Sequence, residues 1–232
     1  MPRITLRKSA LQDYARCPML FKLRWIDGIR EEHSTYEAEL GRSFHSIAQE
    51  LLTKHNPPLP KDPVPTSNAE LREMIRWFVM LENKRYEILK QLGREDLWRP
   101  VATEWEIKAT IHLDPDVEID AVGHIDRLDR DIDGHYILIE YKTTRQPHLT
   151  DWRRELMFYR WILREMGYRV TQFVVINPML RDYFVEKPKP YTEVALRKLL
   201  VKLAHDTEFA PRPGEHCIFC PMRKYCPYYN GR

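Results

Sequence analysis

The sequence of 232 residues contains no run of eighteen apolar residues, the length that a membrane-spanning helix needs. Its first ten residues, MPRITLRKSA, also lack the apolar stretch of a secretory signal peptide. No internal repeat and no low-complexity segment is present. We therefore expect a soluble, cytoplasmic, globular protein that has no membrane partner.

Cysteine is scarce, and its placement is uneven. Cys217, Cys220 and Cys226 are crowded together, whereas Cys17 lies far upstream. Disulfides rarely persist in a reducing cytosol, so this grouping predicts a metal site before it predicts crosslinks. Thiolates are soft ligands that select zinc or an iron–sulfur cluster. A zinc site of four cysteines usually pairs two C-x2-C turns and this chain has one, but zinc and unliganded thiols remain alternatives.

Charge of one sign is not in large excess, because 37 basic residues stand against 34 acidic ones. The resulting net charge of +3 suits a polyanionic partner, but many proteins without such a partner share it. Hydrophobic residues make up 43% of the chain and charged residues 31%, which predicts a globular core beneath a solvated surface.

Apolar spacing predicts four long helices, at residues 39–55, 68–91, 151–166 and 192–205. The segment Ser9–Gln12 has the pattern of a capping box that opens a further short helix, which Pro18 ends or interrupts. Residues 56–65 contain five prolines and are predicted to form a loop. Gly167 is the expected stop of the third long helix.

Segments rich in Val, Ile and Tyr predict strands at residues 101–111, 117–128, 135–143, 170–176 and 182–186. The order strand, helix, strand over residues 135–176 indicates a right-handed crossover. We predict an α/β fold in one domain with a central mixed sheet flanked by helices. Its parts are a helical N-terminal part (1–99) carrying Cys17 and His45, an α/β core (100–186), and a C-terminal helix with the cysteine tail (187–232).

Asp126, Glu140 and Lys142 are the main candidate site residues. Glu140 and Lys142 are two apart on a predicted strand, so their side chains point to the same face. If residues 132–134 form a three-residue loop with Gly134 left-handed, the hairpin register sets Asp126 opposite Glu140, with Cβ atoms roughly 5 Å apart. A two-residue loop would instead set Asp126 opposite Tyr141.

Two carboxylates held that close repel each other unless a cation neutralises them, and hard oxygen ligands suit Mg²⁺ or Mn²⁺. His45 lies at the border of an apolar helical stripe, where it could add a nitrogen ligand that slightly favours Mn²⁺. The alternative is that Asp126, Glu140 and Lys142 make ordinary surface ion pairs and that His45 is a boundary residue of the core.

Gly41-x-x-x-His45, Gly123-His-Ile-Asp126-Arg127 and Glu140-Tyr-Lys142-Thr-Thr, in this order, resemble the RecB-like branch of the PD-(D/E)XK nuclease superfamily. The resemblance implies a restriction-endonuclease-like sheet and a metal held by His45, Asp126, Glu140 and the main-chain carbonyl of Tyr141. It also implies that Lys142 orients or activates the water that attacks the phosphodiester.

One departure from the family pattern is visible at position 155. The family usually has Q-x-x-x-Y, and this chain has Glu155-Leu-Met-Phe-Tyr159. An acid there would repel phosphate, and Arg153 or Arg154 could compensate or could form a solvated face. Tyr159 and these arginines are candidate DNA contacts or supporting residues, and Glu104 is a candidate supporting residue for the metal.

The cysteine spacing resembles the [4Fe–4S] site of RecB-like exonucleases, including the CRISPR-associated family that acts in antiviral defence. The resemblance implies a structural cluster held by Cys17, Cys217, Cys220 and Cys226. Tyr225, Tyr228 and Tyr229 could stack on unpaired bases, but we favour their packing around the cluster.

The resulting hypothesis is a metal-dependent DNA exonuclease that acts on single-stranded ends. The chain lacks G-x-x-x-x-G-K-[ST], so unwound DNA would come from other DNA-processing proteins or from existing ends. One alternative is an inactive DNA-binding module with the same fold and a zinc or iron–sulfur site. Another is a redox or zinc-binding interaction protein in which the hairpin charges are incidental.

Overall fold

The computed structural model describes residues 5–30, 35–63, 65–114, 117–146 and 149–230. Its strands form one mixed sheet. They are β1 (Leu6–Arg7), β2 (Ala102–Asp114), β3 (Val117–Arg130), β4 (Tyr136–Tyr141), β5 (Val170–Asn177) and β6 (Asp182–Glu186). The long helices are α1 (Lys8–Arg16), α3 (Tyr36–Lys54), α4 (Ala69–Gln91), α5 (Leu149–Glu165) and α6 (Pro190–His205), and α2 (Pro18–Phe21) and α7 (Pro227–Asn230) are single turns.

The sheet runs β1-β3-β4-β5-β6, and β2 pairs with the other edge of β3. β2 and β3 form a long antiparallel hairpin, and β3 and β4 are antiparallel as well. β4 and β5 pair in parallel on either side of α5 in the chain, as the predicted crossover requires. The predicted α/β class with a central mixed sheet is therefore confirmed.

Helices cover both faces of the sheet with two separate apolar clusters. One cluster joins α1, α5 and α6 to buried residues of β2, β3, β4 and β5. Phe158 and Ile162 of α5 are fully buried in it. The other joins α3 and α4 to Ile139, Tyr141 and Ile176. Since Leu138 belongs to the first cluster and Ile139 to the second, β4 is buried on both faces by simple alternation.

The predicted long helices are confirmed to within a few residues at their ends. Asn68 caps α4 through its side chain, and Gly167 has a φ of 89° just beyond α5. The proline-rich loop lies at 56–65, of which residue 64 is outside the described residues. Within the described part of the chain, no helix is long and apolar enough to cross a membrane.

The predicted capping box at Ser9–Gln12 is wrong. α1 begins at Lys8, and Arg7 precedes it without a side-chain cap. The reason is that Arg7 is still paired to Val122 of β3, so the chain passes from strand into helix without an intervening loop. At the other end the helix stops at Arg16, and Cys17 is extended before Pro18, as the residue before a proline usually is.

Candidate metal centre at the branch of the sheet

One edge of β3 is shared by two strands. β1 pairs with Ala121 and Val122, and β4 pairs with residues 127–130. β1 is parallel to β3 and β4 is antiparallel to it, so the end of β1 and the end of β4 point toward each other along this edge. We call the place where they meet the seam; it comprises residues 123–126 of β3, the start of α1 and the end of β4.

The predicted hairpin register is confirmed for the four pairs from Arg130↔Tyr136 to Arg127↔Ile139. The turn has three residues, 132–134, with Asp131 N–H bonded to the His135 carbonyl at 2.9 Å and Gly134 at a φ of 81°. The pairing ends one step before Asp126 and Glu140. Asp126 Oδ2 instead accepts the Tyr141 backbone N–H at 2.6 Å, which draws its carboxylate to the end of β4.

His45, Glu104 and Asp126 form a compact group on the α3 side of the seam. His45 Nδ1 lies 3.3 Å from Asp126 Oδ1 and 3.3 Å from Glu104 Oε1. One ligand atom from each of the three residues lies within 4.8 Å of the other two. Nitrogen and carboxylate donors in such a cluster are suited to a divalent cation.

The sequence predicts only a supporting role for Glu104, but its carboxylate lies within the group itself, 3.3 Å from His45 Nδ1. It lies on β2 between the pairs Thr103↔Arg127 and Trp105↔Ile125, beside Asp126. Its φ of 45° is in the left-handed region, which is costly for a residue other than glycine and is found preferentially at functional sites. Glu104 is therefore a further candidate ligand.

The carboxylates around His45 stabilise positive charge at this position. Burial alone lowers the pKa of His45, but Asp126 and Glu104 outweigh it and raise the pKa to about 10. Burial and the neighbouring Glu140 raise the pKa of Asp126. A divalent cation would supply the positive charge that these carboxylates favour, without the proton.

Glu140 and Lys142 lie on the other side of the seam, where Glu140 is buried and Lys142 is half-buried. Lys142 Nζ donates to Glu140 Oε1 at 2.9 Å and to both oxygens of Glu155 at 3.0 Å. Burial raises the pKa of Glu140, but the ammonium groups of Lys142 and Lys8 outweigh it and lower the pKa. The side chains of Glu140 and Lys142 thus share one face, as their spacing predicts.

Lys8 is a site residue that the sequence analysis missed. Its Nζ lies 3.1 Å from Glu140 Oε1 and also contacts Glu155. Lys8 directly follows β1, a strand of two residues that is too short to give a periodic signal. Its position could have been found only by pairing β1 with β3.

Glu140 Oε2 is buried and has no hydrogen-bond partner among the described residues. A buried carboxylate oxygen without a partner is costly and calls for an explanation such as an ion. Together with the cluster of His45, Glu104 and Asp126, this oxygen makes the donor set of the seam compatible with a divalent cation.

Tyr159 is fully buried, so the structure does not place it where it could contact DNA directly. It packs over Gly123, where a Cβ atom would come within 2.7 Å of the tyrosine ring. Arg153 makes a two-bond ion pair with Glu186, at 2.7 and 2.8 Å, and does not compensate the charge of Glu155. Arg154 pairs with Asp151 at 3.3 Å.

Three open clefts meet at Lys142 and Thr143. One, of about 450 Å³, is lined by Lys8, Arg16, Lys142 and Arg154 among others. A second cleft is lined by both Lys142 and Thr143. A third is lined by Thr143 together with His45 and Glu104. The candidate metal centre is therefore reachable from solvent on both sides of the β4 end.

All four cysteines line a single cavity next to α1 and α2. Cys17 and Cys217 are buried, and the Cys17 sulfur accepts the Arg212 backbone N–H at 3.3 Å. Burial is the main cause that raises the pKa of Cys220, and the other three cysteines add to it. The distant Cys17 and the three crowded cysteines are thus brought together.

Two of the tail tyrosines pack beside this cavity. Tyr228 and Tyr229 both line it, with ring centroids 5.5 Å apart, and the Arg223 guanidinium lies 4.6 Å from the Tyr229 ring centroid. Tyr225 is exposed, with the Lys224 ammonium 4.9 Å from its ring centroid. Tyr228 and Tyr229 therefore pack around the cysteines, as the sequence analysis favours, and Tyr225 does not.

Comparison with known proteins gives one family. The model of the PD-(D/E)XK nuclease superfamily matches residues 8–227. The Gene 69 protein of Mycobacterium phage D29 is 25% identical over 277 residues, covering 96% of this chain and 96% of its own length. A solved structure described as the crystal structure of SSO0001 is 18% identical and covers 96% of this chain and 94% of its own, with a TM-score of 0.41 that supports no conclusion.

The family match extends from Lys8 at the seam to the residue after Cys226, and so includes both the candidate metal centre and the cysteine cavity. The mixed sheet flanked by helices agrees with the restriction-endonuclease-like fold of that family. The chain belongs to the PD-(D/E)XK nuclease superfamily, a superfamily of metal-dependent nucleases.

Proposed function

We propose that the protein is a divalent-metal-dependent DNA exonuclease of the RecB-like type that acts on single-stranded ends. The observation that carries this proposal is the meeting of His45, Asp126, Glu140 and Lys142 at one solvent-accessible seam. We further propose that residues 1–232 form a single nuclease domain with the three parts given above, and that other DNA-processing proteins supply its unwound ends.

In the proposed mechanism, His45, Asp126, Glu140 and the Tyr141 carbonyl hold Mg²⁺ or Mn²⁺, with Glu104 as a further candidate ligand. When bound, the cation polarises the phosphate and lowers the pKa of the attacking water. Lys142, which donates to Glu140 and Glu155, orients that water and stabilises negative charge that develops on the phosphate. The Tyr141 N–H bond to Asp126 fixes the aspartate relative to the end of β4.

The proposal requires that Asp126→Asn and Lys142→Ala abolish Mg²⁺- or Mn²⁺-dependent degradation of DNA, with rates at least about a hundredfold lower. The assay digests end-labelled single-stranded, double-stranded and circular single-stranded DNA. Asp120→Asn, on the same strand and bonded to Thr110 at 2.8 Å, is the matched control and should keep full activity.

Resistance of the circular DNA, with mononucleotides released from the linear strand, is the result expected of an exonuclease. Cleavage of circles would make the enzyme an endonuclease. Wild-type rates in a clean Lys142→Ala preparation would contradict the mechanism. Binding of DNA by the wild-type chain without any cleavage would instead favour the inactive module.

A second test uses Gly41, which lies one helical turn before His45 on α3. A Cβ atom at this position would come within 2.9 Å of Thr143 Oγ1, so Gly41→Ala should push α3 away from β4 and move His45. We expect a loss of cleavage rate of about tenfold. Thermal stability should change little, because alanine also favours the helix by about 1 kcal/mol.

Thr143→Ala provides the control for this displacement. It removes the oxygen that the new methyl group would meet, so the double variant should recover most of the activity lost in Gly41→Ala. If the double variant is no more active than Gly41→Ala, the close approach of α3 to β4 does not position His45.

We also propose that Cys17, Cys217, Cys220 and Cys226 hold a structural [4Fe–4S] cluster. All four cysteines line one cavity, which is the arrangement that a shared cluster requires. The N–H bond to the Cys17 sulfur is of the kind that tunes such clusters.

A further inference from the structure

The seam brings together four charged side chains from three elements and the segment that follows β4. Lys8 comes from the start of α1, Glu140 from β4 and Glu155 from α5, and Lys142 is the first residue after β4. Lys8 and Lys142 each contact both carboxyl groups, so two ammonium groups face two acids at this place. Both carboxylates are almost completely buried.

Glu155 is the member of this group that needs an explanation. Its carboxylate lies beside Lys142 at the edge of the cleft that also contains Arg16 and Arg154. An uncompensated anion there would repel a DNA phosphate and would hold the Lys142 ammonium in a one-to-one ion pair. Lys8 supplies the second ammonium, which contacts both Glu155 and Glu140.

Besides Lys142, Lys8 is the cation that contacts the Glu155 carboxylate among the described residues, whereas the two neighbouring arginines are paired elsewhere. Arg153, two residues before Glu155, is bound to Glu186, and Arg154 is paired with Asp151. Lys8 is held in place by the pairing of Leu6 and Arg7 with β3 and by its ammonium lying 5.5 Å from the Tyr159 ring centroid. Its direction is thus determined by both backbone and side-chain contacts.

We propose that Lys8 is a positioning residue of the nuclease site: it compensates Glu155, so that the phosphate side of the seam stays neutral and Lys142 stays available to water and substrate. This inference rests on the proposed function. It assigns Lys8 and Glu155 to one unit, in which the loss of either charge is offset by the loss of the other.

The test is a double-mutant cycle of Lys8→Gln, Glu155→Gln and the double variant. Lys8→Gln leaves the group with one excess negative charge, so kcat/KM on a labelled single-stranded oligonucleotide should fall roughly tenfold or more. Glu155→Gln alone should lower KM for DNA, because it removes a negative charge. The double variant restores neutrality and should recover kcat/KM to within about threefold of wild type. Lys8→Arg, which keeps the charge, should retain more activity than Lys8→Gln.

The matched control is the exposed pair of Lys108 and Glu106 on β2, whose side chains lie 2.6 Å apart. The same three glutamine variants there should leave kcat and KM unchanged. Melting temperatures of all variants separate folding from function. If Lys8 had only a structural role, the double variant would be no more active than Lys8→Gln, and that result would overturn the proposal.

Failure of this inference can be told apart from failure of the proposed function. If the wild-type chain cleaves DNA and Lys8→Gln does so equally well, the role of Lys8 is wrong and the nuclease stands. If the wild-type chain does not cleave, the dissociation constant of the oligonucleotide is measured in Ca²⁺ for the same variants. Weaker binding by Lys8→Gln and recovered binding by the double variant would then support the proposed role of Lys8. An unchanged dissociation constant, or no DNA binding at all, would overturn it.

Discussion

Replacing Arg127 with methionine is expected to lower the free energy of unfolding by about 3–5 kcal/mol. The Arg127 side chain is completely buried. Its guanidinium makes two bonds of 2.7 Å to Asp129 and one of 2.6 Å to Glu82 on α4. Arg85 pairs with the same two acids, at 2.8 and 3.2 Å, so four buried or half-buried charges balance one another.

The cost arises because methionine fills a similar volume but leaves two buried carboxylates with one cation between them. Chemical denaturation followed by circular dichroism measures the effect. Arg76→Met on α4, the helix that carries Glu82, is the matched control, because its pair with Asp62 is exposed and its removal should leave unfolding nearly unchanged. A midpoint for Arg127→Met equal to that of the wild type would show that this network does not hold α4 to the sheet.

Replacing Cys220 with serine is expected to abolish the proposed cluster and to lower the free energy of unfolding by about 4–5 kcal/mol or more. Cys220 lies in the same cavity as Cys17, which begins the connection from α1 to α2. Without the shared metal site, the C-terminal segment would no longer be bound to residue 17, and the entropy of both segments would rise.

Iron and sulfide analysis, absorbance near 400 nm and thermal unfolding measure this loss together. Met222→Leu is the control: Met222 is buried beside the same cavity, and a swap of similar volume should cost less than about 1.5 kcal/mol while leaving the metal content intact. Purified protein that contains stoichiometric zinc and no iron would contradict the cluster. An unfolding midpoint for Cys220→Ser at the wild-type value would contradict its structural role.

The elements of the fold could be predicted because their signals are local. The apolar stripe of α3 and the three-residue turn at Gly134 depend on neighbouring residues alone, and both are confirmed. The capping box failed because the pairing of Arg7 with β3 decides where α1 begins, and that pairing is a contact between residues distant in sequence. Local pattern cannot detect it.

The site was predicted where it follows strand alternation and missed where it depends on the branch of the sheet. Glu140 lies on β4 and Lys142 directly follows that strand, and their spacing of two places both side chains on one face. Lys8 follows β1 and Glu104 lies on β2, and these two strands pair with opposite edges of β3. The burial of Arg127 was also missed, since no sequence pattern indicates that Glu82, 45 residues away, would reach it.

The branch of the sheet at β3 also limits how this chain could be divided or extended by protein engineering. Because β1 and β4 share one edge of β3, the seam draws on residues from Lys8 to Glu155, and no short fragment would contain it. A split-protein design that cuts within that span would need both halves to reassemble on β3. No described residue of the proline-rich loop between α3 and α4 lines the three clefts at the seam. Within this loop Leu59 is buried and its backbone is bonded to Asn83, so the exposed residues Pro60 and Lys61 are the natural place for an inserted peptide or reporter.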